Sequence, residues 1–233
     1  LLGLPHLDRL NRRARRSPFY NDRPWSADEA SRPLRFAFLG TTRANKGLEV
    51  LAQAIPMLDP AVRRRAHFLV RAHGEDAAYR KRLARYPEVS IAGGFDEVQL
   101  IALVDEYDVG VLSHIWMENS PLVMLEHLHA GRFVISSRLG GPADWIREGE
   151  NGMLFSAGRP DELAACITRL VRGEVAIPSP AEIHERTAGL QSYPGYLEET
   201  EGTYRGLLAG GAGGDGAGRG VVVRAEAGAG EPA

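Results

Sequence analysis

Several things are scarce in this sequence. Cysteine occurs once, at Cys166, so no internal disulfide can form and the chain fits a reducing compartment. Lysine is nearly absent: Lys46 and Lys81 are the two present, and all other Lys/Arg positions are arginine. No apolar run approaches the ~18–20 residues that a membrane helix needs, and nothing at the start of the chain reads as a signal peptide. Charge excess is missing too, since a net charge of −2 gives no overall pull toward nucleic acid or an anionic membrane. No Asp-x-Asp pair or histidine cluster suggests a metal, and no internal repeat is visible. The expectation is a cytoplasmic protein, with a peripheral seat at the inner membrane face left open.

What is present is ordinary globular composition, 44% hydrophobic and 25% charged over 233 residues, enough for one large or two small domains. Residues 1–33 are polar and Arg-rich, and Pro5, Pro18, Pro24 and Pro33 are expected to break any long element there. That segment reads as a linker or the end of a preceding domain. Its run of arginines from Arg9 to Arg16 is read as a solvated face ahead of contact with anionic lipid or glycan phosphate. From 34 to 173, short apolar runs alternate with segments of helical period. Strands are predicted at 34–39, 66–71, 89–92, 109–113, 133–136 and 152–155, with helices at 46–58, 77–86, 97–107, 121–130, 142–148 and 161–172. Uninterrupted strands followed by helices predict a doubly wound parallel sheet of Rossmann-like α/β class. Past this core, Pro178 and Pro180 interrupt the chain, and one further helix is predicted at 193–208. The domain is placed at 34–208, and the Gly/Ala-rich segment 209–233 is read as a disordered tail.

In such a sheet, ligands bind beyond the carboxyl ends of the strands. The segments predicted there are 40–47, 73–74, 93–94, 114–120 and 138–141. The first, GTTRANKG, has neither P-loop nor dinucleotide-fingerprint spacing. It is a strand, a flexible turn and then Lys46 at a helix start, where a bound anion would make its charge favourable. The fifth segment carries the pair Gly140-Gly141. The fourth runs into MENSPLVMLE, in which Ser120 suits an N-cap and Pro121 the first helical position. Amides near Leu122 and Val123 would then face an anion. Two carboxylates frame this stretch. Glu118 lies in the loop, while Glu126 lies within the apolar run of Leu122, Leu125 and Leu128, where a charge needs a partner. Ionised carboxylates accept hydrogen bonds from sugar hydroxyls; a solvated loop charge for Glu118 and a salt bridge from Glu126 to an arginine are the plain alternatives.

Taken together, residues 34–172 resemble the carboxyl-terminal, donor-binding domain of a GT-B fold retaining glycosyltransferase of the family 4 (group 1) type. The E-x7-E motif is matched by Glu118 and Glu126, GTTRANKG resembles the family's first loop, and SSRLGGPADWIREGENGMLF resembles its Gly-Gly loop, helix and following strand. The resemblance implies that Glu118 holds a hydroxyl of the donor sugar, Glu126 the ribose hydroxyls, and Lys46 the diphosphate. Gly40, Thr41 and Arg43 belong to the first loop. The backbone from Asn119 through Ser120 and Leu122 to Val123 would meet sugar and phosphate, and Gly93 and Gly94 would lie near the base. Lys46 and Glu118 are the catalytic candidates, with Glu118 as a positioning group and no nucleophile in view. The family's usual Arg after the first-loop Gly is here Thr41, with Arg43 two residues on; Asn119 and Asp144 stand where Gly and Glu are common. The implied reaction is transfer of a sugar from a nucleotide diphosphate with retention, without metal or other cofactor. The acceptor is left unknown, and an amino-terminal acceptor domain is expected as a partner, having no counterpart in these residues. A non-catalytic nucleotide-sugar-binding module is the alternative; an epimerase of the same fold and a receiver-like domain rank below it.

Overall fold

In the computed structural model, residues 4–22, 25–27, 32–74, 77–187 and 189–211 are described. The expected tail at 209–233 lies almost wholly outside them. Two compact units are distinguished, Leu1–Tyr196 and Leu197–Ala233. The first unit opens with α1 (Pro5–Arg15) and continues β1 (Leu34–Thr41), α2 (Leu48–Met57), α3 (Pro60–Arg63), β2 (Ala66–His73), α4 (Ala77–Leu83), β3 (Val89–Ala92) and α5 (Glu97–Leu103). Then come β4 (Val109–Leu112), α6 (Leu122–His129), β5 (Phe133–Ser137), α7 (Pro142–Trp145), β6 (Gly152–Phe155), α8 (Pro160–Val171) and α9 (Pro180–Arg186). The last helix, α10, is Tyr193–Gly211. In the second unit its exposed side chains include Leu207 and Leu208, and Arg205 pairs with Glu201 one turn before.

All six strands are parallel, in the order β3-β2-β1-β4-β5-β6. The doubly wound expectation therefore holds, and β1 and β4 meet at the point where strand order reverses. The reason is visible in the sequence: Phe36, Ala37, Phe38 and Leu39 are all buried, as a strand covered on both faces requires. Phe36 stacks on Phe68 of β2 across the sheet, ring centroids 5.4 Å apart. On one face α2 packs against α8 and α4; on the other α1 lies against α5, α6 and α9.

Two expectations about proline fail. A break is expected at Pro5, yet residues 5–15 form α1, with Pro5 at its first turn and Leu7, Leu10 and Ala14 buried. Proline is tolerated at a helix's first turn because the amide it lacks would have no partner there. Pro180 likewise opens α9, behind a capping box in which Ser179 accepts from the Glu182 amide and Glu182 accepts from the Ser179 amide.

Candidate functional site

The parallel sheet brings the carboxyl ends of its strands to one edge, so the five glycine-bearing or polar loops do lie side by side. The Thr42 amide donates to the His73 carbonyl at 2.9 Å, joining the loops after β1 and β2. The His73 ring lies under Gly94, where an added Cβ would sit 2.2 Å from its Nδ1. Arg71 holds that loop by donating to the Gly93 carbonyl at 3.0 Å and the Gly94 carbonyl at 3.3 Å. Gly93 and Gly94 therefore sit at the β3 side of the edge, beyond β2 from the other candidates.

The centre of the edge is where the loops after β1, β4 and β5 lock together. Ser113 Oγ donates to the Gly47 carbonyl at 2.7 Å, and the Ile115 amide donates to the Asn45 carbonyl at 3.0 Å. Gly47 has φ +72° and lies so close to β4 that a Cβ would stand 1.7 Å from the Ser113 carbonyl oxygen, so no other residue fits without the loop moving. The β5 loop closes from the far side: the Gly141 amide donates to the Glu118 carbonyl at 2.7 Å, and His114 Nε2 lies 3.0 Å from the Leu139 carbonyl. Within this frame Lys46 Nζ forms an ion pair with Glu118. The pair lines a cavity of about 20 Å³ with Phe38, His114, Pro121 and Val123. That volume is far below the ~300 Å³ of a typical ligand pocket, so a ligand of nucleotide size would lie along the open edge rather than inside.

Residues 33–173, more than half of the chain, match the family described as glycosyl transferases group 1. The chain belongs to the group 1 glycosyl transferases. Among curated proteins, none matches. Solved structures share the fold at low identity. The Anabaena protein Alr3699/HepE, solved in complex with UDP and glucose, is 16% identical with a TM-score of 0.64, over 76% of this chain and 49% of that one. Sucrose-phosphate synthase from Thermosynechococcus elongatus is 23% identical with a TM-score of 0.64, over 80% and 47%. A glycosyltransferase from Rickettsia africae is 17% identical with a TM-score of 0.64, over 78% and 49%. This chain spans about half the length of each.

Measured against the reading of this group 1 chain from its residues, three local details change. Lys46 does not start the α2 helix; it ends a short 3-10 turn, Ala44–Lys46, and Gly47 caps α2. The left-handed glycine forces that break. The cap of α6 shifts by one residue. Pro121, with ψ 122°, is the N-cap and Leu122 the first helical residue, while Ser120 Oγ is buried with no hydrogen-bond partner among the described residues. The amides of Leu122 and Val123 still open the helix and lack intrahelical acceptors. Leu122 is 41% exposed, so the apolar stripe around Glu126 is carried by Met124, Leu125 and Leu128.

The other first-loop candidates sit at the surface. Gly40 and Thr41 end β1, and Arg43 is exposed with no ion-pair partner among the described residues. Asn119 is exposed, but its carbonyl lies against Gly141, where a Cβ would be 1.5 Å away. Glu126 is 8% exposed and has a partner no sequence spacing suggested: His6 Nε2 of α1, 3.1 Å from its Oε1. Burial raises the Glu126 carboxyl above the usual range, and the neighbouring His6 opposes that shift. Val123, three residues earlier and so on the same helix face, lines the crevice with Lys46 and Glu118. Also unforeseen are Ile115, Trp116 and Met117, exposed apolar side chains next to Glu118. The signal was an apolar triplet inside a segment that the strand pattern placed at a ligand edge.

Proposed function

We propose that this chain supplies the donor-binding half of a transferase that moves a sugar from a nucleotide diphosphate to an acceptor with retention at the anomeric carbon. The observation that carries the reading is the Lys46–Glu118 pair held at the switch point of the sheet, beside the amino end of α6. A departing diphosphate develops negative charge, and a fixed ammonium with unshared helix amides opposes it. Both partners of the pair are useful when it opens: Lys46 turns to the diphosphate and Glu118 accepts from a sugar hydroxyl. Stabilisation here comes from these groups without a metal ion. Glu126 receives the ribose diol, which displaces His6. The UDP carried by the Anabaena relative makes UDP the first nucleotide to try.

The test is calorimetric titration with UDP, ADP, GDP and their nucleosides, repeated on Lys46→Ala. The expected result is a loss for the diphosphate about tenfold or more, with nucleoside binding little changed. Equal losses for both ligands would count against the reading. Transfer needs the acceptor oxygen ~3–3.5 Å from the anomeric carbon, and we propose that a further domain supplies that positioning. The chain alone then binds donor without appreciable turnover, and robust product in a mass-spectrometric assay with an acceptor panel overturns that part.

A further inference from the structure

A cavity lies at the opposite end of the sheet. It holds about 580 Å³ and is lined by Arg13, Arg16, Arg32, Arg35 and Arg132 with Asp105 and Asp108. Among the described residues that line it, five guanidiniums stand against two carboxylates, an excess of three positive charges on a chain whose net charge is −2. The arginines come from four places, the end of α1, the segment entering β1, β1 itself and the residue before β5, and the two aspartates from the turn between α5 and β4. Sequence spacing hides the set, and the fold collects it.

Asp108 is the structural anchor. It is 1% exposed and accepts from both Arg32 terminal nitrogens, at 2.7 and 2.9 Å, and from the Arg35 amide at 3.0 Å. Arg132 is buried, donating Nε to the Val104 carbonyl at 2.9 Å with its guanidinium over the Tyr107 ring. It lines the cavity and lies 3.8 Å from Asp105, with which Arg13 also pairs, while Arg13 and Arg16 are exposed. Arg16 has no ion-pair partner among the described residues. Ala14, Pro18, Phe19 and Pro180 add apolar wall.

We infer that this cavity is a second anion site that takes a phosphate-bearing ligand of at least two negative charges, independent of the donor site. Guanidinium forks match phosphate oxygens two at a time, and a volume of this size falls in the range of small-ligand pockets. The eight residues of β1 hold the two ends of the sheet about 23 Å apart, so one diphosphate cannot span both. A free phosphate or pyrophosphate and the headgroup of an anionic lipid share the required chemistry.

The experiment titrates the full chain with inorganic pyrophosphate by calorimetry, and separately measures flotation with phosphatidylcholine vesicles with and without phosphatidic acid. Arg16→Glu is the probe variant, because Arg16 is exposed and makes no ion pair among the described residues, and circular dichroism checks its fold. Lys46→Ala is the control for the donor edge. Pyrophosphate binding that survives Lys46→Ala and weakens tenfold or more in Arg16→Glu supports the site with a soluble ligand. Vesicle binding that depends on phosphatidic acid and on Arg16, without pyrophosphate binding, supports it with a lipid headgroup. Binding unchanged by Arg16→Glu, binding abolished by Lys46→Ala, or no binding in either arm overturns it.

Discussion

The two ends of the sheet are built on different principles. At the carboxyl end the loops are locked by main-chain contacts: Gly47 against Ser113, Gly141 against Glu118 and Asn119, and Ile115 on Asn45. The cavity at its centre, about 20 Å³, is lined by one lysine and one glutamate that pair with each other, while Arg43 and Arg138 stand exposed on neighbouring loops. At the amino end side chains do the fastening. Asp108 and Asp105 pin a ring of arginines around about 580 Å³. Main-chain locking leaves the loops little freedom, which suits the alignment of reacting atoms that the proposed transfer needs. Charge fastening tolerates looser geometry and leaves net attraction for an anion. The difference predicts that the ends fail differently.

The largest effect should come from Asp108→Ala. Removing the carboxylate leaves Arg32 and Arg35 without the acceptor both converge on. Breaking a buried pair in this way costs about 3–5 kcal/mol, read as a lower urea midpoint. Burial works to raise the Asp108 carboxyl, but hydrogen bonds from Arg32 and Arg35 prevail and hold it below the usual range. Its contribution is therefore complete above the ordinary aspartate value and is lost as pH falls through the depressed one. A midpoint unchanged in Asp108→Ala would show that the amino end is not charge-fastened.

At the carboxyl end the matching break is Gly47→Ala, with a left-handed φ of +72° and a carbonyl 1.7 Å from the new methyl. A cost of about 3 kcal/mol is expected from strain and loop displacement together. Gly149→Ala is the comparison, with nearly the same φ, +75°, but open space around it. It should cost only about 1 kcal/mol. Equal costs would mean that contact with β4 contributes nothing.

This contrast also marks how far the sequence could be read. The buried run Phe36–Leu39 and the alternation after it announced the sheet, and all six predicted strands are present. The loops followed from topology, because a parallel sheet sends every strand's end to one edge. What escaped was mostly tertiary. The spacing of Leu7, Leu10 and Ala14 is helical, but Pro5 reads as a break when it is in fact an opening. Ser179-Pro180-Ala181-Glu182 spells a capping box that the proline obscures. His6 lies 120 residues from Glu126, and the arginine ring draws on residues from 13 to 132. No local pattern records either.

A smaller effect per residue should come from the histidines of α6 and α9, in the layer those helices form with α1. Burial pushes His129 and His184 down to about 4 and His127 to about 3. These imidazoles are neutral in the fold, whereas in the unfolded chain they protonate near 6.5. Their contribution is intact above about pH 6.5 and is lost as pH falls toward 4, at up to about 1.4 kcal/mol per pH unit for each histidine. Urea midpoints at pH 7 and 5.5 measure the slope, and His184→Gln should reduce it by one histidine's share. A flat profile across that window would show that these histidines titrate normally.

The smallest effect concerns the contact between α1 and Glu126. If Glu126 receives the ribose diol, His6 at 3.1 Å competes for the same oxygen. His6→Ala removes the competitor but leaves the carboxylate less well compensated, since burial alone raises its pKa. One hydrogen bond exchanged for another is worth about 0.5–1.5 kcal/mol, so nucleotide affinity should rise by only a few-fold. Absolute affinity is a poor readout for so small a change. The ratio of affinities for a ribonucleoside diphosphate and its 2′-deoxy counterpart isolates the diol. That ratio should increase in His6→Ala and fall toward one in Glu126→Gln, where the amide both donates and accepts. A ratio indifferent to both substitutions would make Glu126 a structural partner of α1. The carboxyl end would then recognise its ligand through Lys46, Glu118 and the α6 amides alone.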